Sequence, residues 1–427
     1  MEISWDQATE AAQQQNWALL NQYLEQLLNE APNSSSEEDS TRERERDRSL
    51  SLMLQALETG DFQLRWDVAK LFPAFGATAI APLTRLLQDE AAELEARWFA
   101  ARLLGGFNNP DAIAALIDTV QTTDDDELSA VAAEALANLG TEAIAALIPL
   151  LKQSETRGLS VGALARIRDS ETIAPLLSVV ADPDPMIRSL AIESLSSFHD
   201  PRVPPVLVQA LTDATASVRQ SALVGLGLRS DLDAELDLVS LLRDRLWDLD
   251  LKVCQQAAIA LGRLGTEAAL QTLSDALLPT TPVPLQLEIV RAIGWTESAI
   301  ALAHLQQALL FAEATTLQQE IIKIFGRWTT PNLQPQAAAT LINALKAAPD
   351  PANQQALALA LGHLGQPAAI DPLIQLLAAP DPRTRLHAIA ALKILPSAYE
   401  QLQALSRSTQ PEALREGVAI ALAEWRT

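Results

Sequence analysis

Two residue pairs place recognition chemistry at helical spacing. Trp66 and Lys70 lie four apart, as do Trp98 and Arg102, and the second pair follows the first by 32 residues. An indole with a cation one helical turn further on can grip a partner, since Trp and Arg dominate the energetics of protein interfaces. Arg65 and Arg97 directly precede the two indoles and join them as candidate partner-binding residues. The same pattern admits a plainer reading, in which each indole only packs over its neighbour.

No catalytic constellation accompanies these residues. The histidines are His199, His304, His363 and His387, and none has a carboxylate or another histidine three or four residues further on. There is no His-Glu dipeptide, which counts against a di-iron hydroxylase site. The one cysteine, Cys254, excludes an intrachain disulfide and cannot build a zinc site with scattered histidines. The glycines of LVGLGLR (223–229) have the wrong spacing for a phosphate-cradling loop, and no nucleophile elbow occurs. The expectation is a chain with no catalytic residue, no intrinsic cofactor and no metal site of its own.

An indole and a cation share a face only if a helix holds them, and the sequence supplies helices by repetition. One phrase recurs: apolar, Arg, two variable residues, Ala, apolar, two more residues closing on Leu, then often Gly. It stands in SVRQSALVGLG (217–227), IRSLAIESLS (187–196) and TRLHAIAALKIL (384–395). The closing apolar residues are Phe72, Leu104, Leu136, Leu164, Leu195, Leu226, Leu261, Ile293, Phe325, Leu361, Leu392 and Leu422, spaced 28 to 36 apart. A second apolar segment precedes each, as in AIAPLTRLLQD (79–89) and AIDPLIQLLAA (369–379). Both segments carry apolar residues at i, i+3, i+4 and i+7, the helical period. Each is about three turns long, too short to stand alone, so stacked antiparallel pairs must bury the apolar faces.

This register places the candidate surface. At about 100° per residue, the Trp six residues before its anchor and the base two before it lie at about 120° and 160° from it, on the open side of the second helix. Cys254 falls seven before Leu261, where Arg219 stands one repeat earlier. That position is at the edge of the buried face, which suits an inert packed thiol; a contributed iron–sulfur ligand is the alternative. Arg188, Arg219 and Arg385 follow Asp184, Asp213 and Asp381, which suggests an Asp–Arg ladder between repeats. Trp295, Trp328 and Trp425 fall just past their anchors, at helix C-termini where rim packing is expected.

Composition agrees. Aromatics are only 4% of the chain, and no alternating run of β-formers appears, so Ala and Leu must supply closely packed helices. The net charge of −23 repels nucleic acid and anionic lipid, and leaves open either plain solubility or a preference for a basic partner. No stretch is apolar for long enough to span a membrane, and the acidic N-terminus does not read as a signal peptide, so a cytoplasmic location is expected. Residues 1–48 read as a cap helix with Trp5, Trp17, Leu19, Leu20, Leu24, Leu27 and Leu28 on one side, followed by a charged flexible connector at 32–48; residues 49–427 read as the repeat array.

The phrases DPDPMIRSLAIESL (182–195), DATASVRQSALVGL (213–226) and APDPRTRLHAIAAL (379–392) resemble the HEAT-like repeats named after phycobilisome lyases. The resemblance covers residues from about 50 onward and implies an all-α, right-handed α-solenoid of about twelve HEAT-type helix pairs with an N-terminal helical cap. Segments 65–76 and 94–113 narrow it to cyanobacterial relatives. One is the HEAT-repeat partner of the A-type iron–sulfur carrier IscA; the other is the E/F-type bilin lyases. The first implies a non-catalytic scaffold that holds an IscA-like protein on its concave face and could share an iron–sulfur cluster with it. The second implies an enzyme that attaches a bilin to phycobiliprotein cysteines, with Trp66, Lys70, Trp98 and Arg102 around the tetrapyrrole. A generic photosynthetic assembly factor is the third reading.

Overall fold

The computed structural model describes residues 5–14, 16, 19, 20, 22, 23, 26, 36–348 and 350–425. Every regular element among them is helical, and no strand occurs. Apart from Trp5–Gln13, the described helices fall into twelve consecutive pairs, A then B, in two compact units, Met1–Val203 and Pro204–Thr427. In the first unit the B helices are Phe62–Ala69, Leu94–Leu104, Asp126–Asn138, Ser154–Arg166 and Pro185–Leu195. In the second they are Ala216–Gly227, Leu251–Leu264, Val283–Gly294, Thr315–Gly326, Pro351–Leu364, Pro382–Ile394 and Glu412–Glu424. Within each unit successive B helices pack on one another, and A helices such as Ile80–Gln88, Pro110–Thr122 and Gln334–Ala347 pack on their own B helices. Each unit is thus a segment of α-solenoid.

The sequence explains the pairing. Asp125, Asp184, Asp250, Asp350 and Asp381 cap B helices, their carboxylates accepting from backbone N–H groups two or three residues further on. Pro82, Pro175 and Pro372 sit in the first turn of A-helix segments, where a missing N–H breaks no helical bond. Eleven of the twelve anchors are completely buried; Leu422, on the last B helix, is half-buried. Phe325 is among the buried ones, so the register holds there too.

The glycine after the anchor has a steric cause. A Cβ placed on Gly262 would lie 2.7 Å from the Ala292 Cβ, and one on Gly362 would lie 2.8 Å from the Ala391 Cβ. Gly105, Gly227 and Gly326 meet Ala135, Ala260 and Ala360 in the same way. The glycine of one B helix faces the residue just before the next anchor, so paired small residues bring the two backbones together.

The position seven before the anchor has one job in most pairs, Ser129 and Arg415 being the exceptions. Arg65, Arg97, Arg157, Arg188, Arg219 and Arg385 each donate to a carbonyl at or just past the end of their own A helix, at 2.7 to 2.9 Å. Gln286, Gln318 and Gln354 do the same through Nε2. Carbonyls at a helix C-terminus have no partner in the helix, and these side chains supply one. The expected Asp–Arg ladder is therefore corrected. Asp184 and Asp381 are N-caps, and Asp–Arg bridges between repeats run instead from Arg157 to Asp182 at 3.0 Å and from Arg219 to Asp248 at 2.6 Å.

The N-terminal boundary is corrected as well. One helix spans Ser36–Thr59, so the border expected at 48/49 and most of the expected connector lie inside it. The helix Trp5–Gln13 packs on it, and Leu20 is buried. Trp17, Leu24, Leu27 and Leu28, named for the cap face, lie outside the described residues, as does the Trp5 side chain. No helix among the described residues is long and apolar enough to cross a membrane.

Candidate partner-binding surface

The first two B helices, Phe62–Ala69 and Leu94–Leu104, lie side by side and bring the expected residues together. Trp66 is exposed, Trp98 half-buried, and Lys70 and Arg102 are exposed. The Arg102 guanidinium lies 4.8 Å from the Trp66 ring centre and 5.5 Å from that of Trp98. It therefore stacks on an indole of its own helix and on one from the preceding repeat, a cation–π arrangement on both sides. Among the described residues Arg102 makes no hydrogen bond and no ion pair.

Lys70 differs. Its ammonium pairs with Asp67 at 2.9 Å. The Gln63 amide, and then Lys70, hold the Asp67 carboxyl below the usual carboxylate range.

Arg65 leaves the surface, and Arg97 is half-buried. Arg65 is 2% exposed; it donates to the carbonyls of Leu57 and Glu58 and pairs with Glu93 and Glu95. Arg97 donates to the Leu87 carbonyl at 2.9 Å. Both hold the capping position; Arg65 also commits its charge to carboxylates of the next repeat, while Arg97 stays half-buried.

Residues not anticipated complete the patch. Phe62, 54% exposed, stacks on Trp66 with ring centres 6.3 Å apart. Phe99 is fully buried and touches Phe62, Trp66 and Trp98 edge-on at 5.7, 6.4 and 5.1 Å. Phe62 lies four residues before Trp66, a helical spacing that could have flagged it. Phe99 sits five before its anchor, and the buried stripe is wide enough to include that position. Beside the aromatics is a groove of about 230 Å³, lined by Lys70, Arg102, Phe99, Phe107, Pro73 and other residues.

The other sequence candidates are elsewhere. Trp328 is 3% exposed and packs edge-on to Phe325, and Trp425 lies against Tyr399, as rim packing requires; Trp295 is 52% exposed. Cys254 is buried, and its Sγ lies 3.2 Å from the Asp248 carbonyl, taking the capping job that arginine or glutamine does in other pairs. Burial pushes its thiol up from the ordinary value. Less thiolate means slower attack on electrophiles. Alkylation of Cys254 by iodoacetamide is expected to be at least about tenfold slower in the native protein than in urea; equal rates would show an accessible thiol. Among the described residues no group of three or more His, Cys, Asp or Glu side chains is arranged to hold a metal ion.

Comparisons with known proteins agree with this fold. The family model for HEAT repeats matches residues 50–137, 91–158, 144–227, 204–285 and 338–423. The unmatched stretch between 285 and 338 carries the same A and B helices, with its anchors Ile293 and Phe325 buried. No curated protein matches the chain. Among solved structures, importin beta is similar over 97% of this chain and 63% of its own, with a TM-score of 0.54 and 14% identity. Kap121p bound to RanGTP is similar over 89% of this chain and 49% of its own, with a TM-score of 0.59 and 14% identity. The chain thus spans about half to two-thirds of these neighbours' length, and at that identity the likeness speaks for the fold alone. With the family model covering most of the sequence and the paired helices continuing through the rest, the chain belongs to the HEAT-repeat family.

Proposed function

We propose that this chain is a non-catalytic scaffold that binds a protein partner through the Trp66–Trp98–Arg102 surface of its first two B helices. The observation that carries the reading is the Arg102 guanidinium, stacked on two indoles and left without an acceptor. A stacked cation is pre-organised for an incoming group, so little freedom is lost when it binds. The partner we propose is a small cytoplasmic protein of the A-type iron–sulfur carrier class, IscA-like, on the strength of the resemblance in segments 65–76 and 94–113. Any cluster would then be shared with the carrier.

The test uses purified full-length chain and purified carrier in titration calorimetry. Saturable binding is expected. Trp98→Ala and Arg102→Ala should each weaken it by roughly thirtyfold, about 2 kcal/mol; Arg102→Ala should leave the melting temperature within a few degrees of the parent, and Trp98→Ala should lower stability by about 1–2 kcal/mol because its half-buried ring packs on Phe99. Trp66→Ala should also lower stability, by about 1–2 kcal/mol, because this ring packs on Phe99 of the next repeat. No binding to the carrier would remove that partner. Binding untouched by both Trp98→Ala and Arg102→Ala would remove the surface. Covalent attachment of a bilin to an apo-phycobiliprotein that depends on this chain would replace the scaffold reading by the lyase one.

A further inference from the structure

We infer that the groove beside Arg102 takes an acidic–apolar segment of the partner: a leucine or aromatic side chain within one helical turn of an aspartate or glutamate. The inference rests on the reading of this surface as the partner contact and adds the chemistry of what docks there.

Charge complementarity carries it. The groove has room for a large apolar side chain, and Phe99, Phe107, Leu103 and Pro73 give it apolar walls. Its charged lining residues are Lys70 and Arg102, and no carboxylate lines it, on a chain of net charge −23. The Lys70 charge is offset by Asp67 at 2.9 Å. That leaves the Arg102 fork, its central carbon over both indoles and its N–H groups without an acceptor among the described residues. A carboxylate meets such a fork with two parallel hydrogen bonds, which a point charge such as lysine cannot match. The other cavities differ: one has Glu313 and His304 in its lining, another has Glu142, and a third has no charged residue. The basic partner allowed by the overall charge is thus not what this groove fits. A nucleic-acid backbone is disfavoured too, because two cations, one of them offset, cannot outweigh the repulsion of a strongly acidic chain.

Three short synthetic peptides test this on the full-length chain. They are identical except at the residues flanking one leucine, which are Asp, Asn or Lys. Binding is read by tryptophan fluorescence and calorimetry. The Asp peptide should bind at least about tenfold tighter than the Asn peptide, the worth of a charge-assisted hydrogen bond, and the Lys peptide should be weakest. Arg102→Gln should abolish the Asp-over-Asn preference without moving the melting temperature, and Arg102→Lys should retain part of it. Equal binding of Asp and Asn peptides, a preference that survives Arg102→Gln, or no binding of any peptide would overturn the inference. So would a single-stranded oligonucleotide that displaces the Asp peptide. The surface itself is judged separately, by the effect of Trp98→Ala on the purified carrier. The acidic preference can therefore fail while the surface stands.

Discussion

Gly262→Val should cost about 3 kcal/mol or more of stability, because two helices must move apart to admit the side chain. A Cβ alone at this position would lie 2.7 Å from the Ala292 Cβ and 3.0 Å from its Cα. These are atoms of the next B helix, and its backbone cannot swing aside as a flexible side chain would. Overpacking of a tight core typically costs 1–3 kcal/mol, and branching at Cβ puts this case at about the upper end or above. The loss should centre on the contact between Leu251–Leu264 and Val283–Gly294, since a repeat array is stabilised by nearest-neighbour interfaces. Hydrogen exchange should accelerate there before elsewhere, and the urea midpoint should fall. Gly158→Ala is the control. Gly158 is also helical, but a Cβ there meets nothing within 4 Å, so helix propensity should raise stability by up to about 1 kcal/mol. If Gly262→Val leaves the urea midpoint in place, the close approach of the B helices is not what holds the stack.

The sequence contains the repeat but not what faces it across the interface. The anchors were legible because burial recurs with helical period, and a fully buried Leu226 or Leu261 is the direct result. The Trp and base positions were legible for the same reason, since phase within one helix fixes the open side. Phase says nothing about the partner across the groove. That Gly262 faces Ala292, or that Arg102 reaches Trp66, depends on the offset between successive B helices, which no single helix encodes. The capping position was half legible. Arg219 and Cys254 were seen to be equivalent, but the acceptor is a carbonyl at the end of the A helix, and backbone acceptors leave no mark on residue type. For that reason the sequence alone puts Arg65 and Arg97 on the surface. An arginine beside a tryptophan looks like part of a binding face until the carbonyls of Leu57 and Leu87 are found to hold it.

Arg219→Ala should cost about 3 kcal/mol near neutral pH, and the penalty should shrink in acid. In the native protein Arg219 holds both oxygens of Asp248, at 2.8 and 2.6 Å, and donates to the Asp213 carbonyl at 2.7 Å. The two side chains are only 12% and 6% exposed. Burial pushes the Asp248 carboxyl up, but the Arg219 hydrogen bonds, with help from the Asp250 N–H, outweigh it and leave the carboxyl below its ordinary value. A group whose folded-state value is depressed stabilises the fold above its unfolded value, about 4 for aspartate. It loses that contribution as pH falls through the folded value. Removing the guanidinium reverses the balance. Burial then dominates, with only the Asp250 N–H at 3.0 Å and the Arg245 guanidinium at 3.9 Å in support. A buried charge stripped of its partner typically costs about 3–5 kcal/mol. In the variant the folded state gains by protonating Asp248, whereas in the parent it loses. Urea midpoints of parent and variant should therefore converge as the pH is lowered from about 7 to about 4. Adding Asp248→Asn to Arg219→Ala should recover much of the loss at neutral pH, because no charge is left to strand. A gap that stays constant or widens in acid would show that the penalty lies in the lost carbonyl caps and not in the carboxylate.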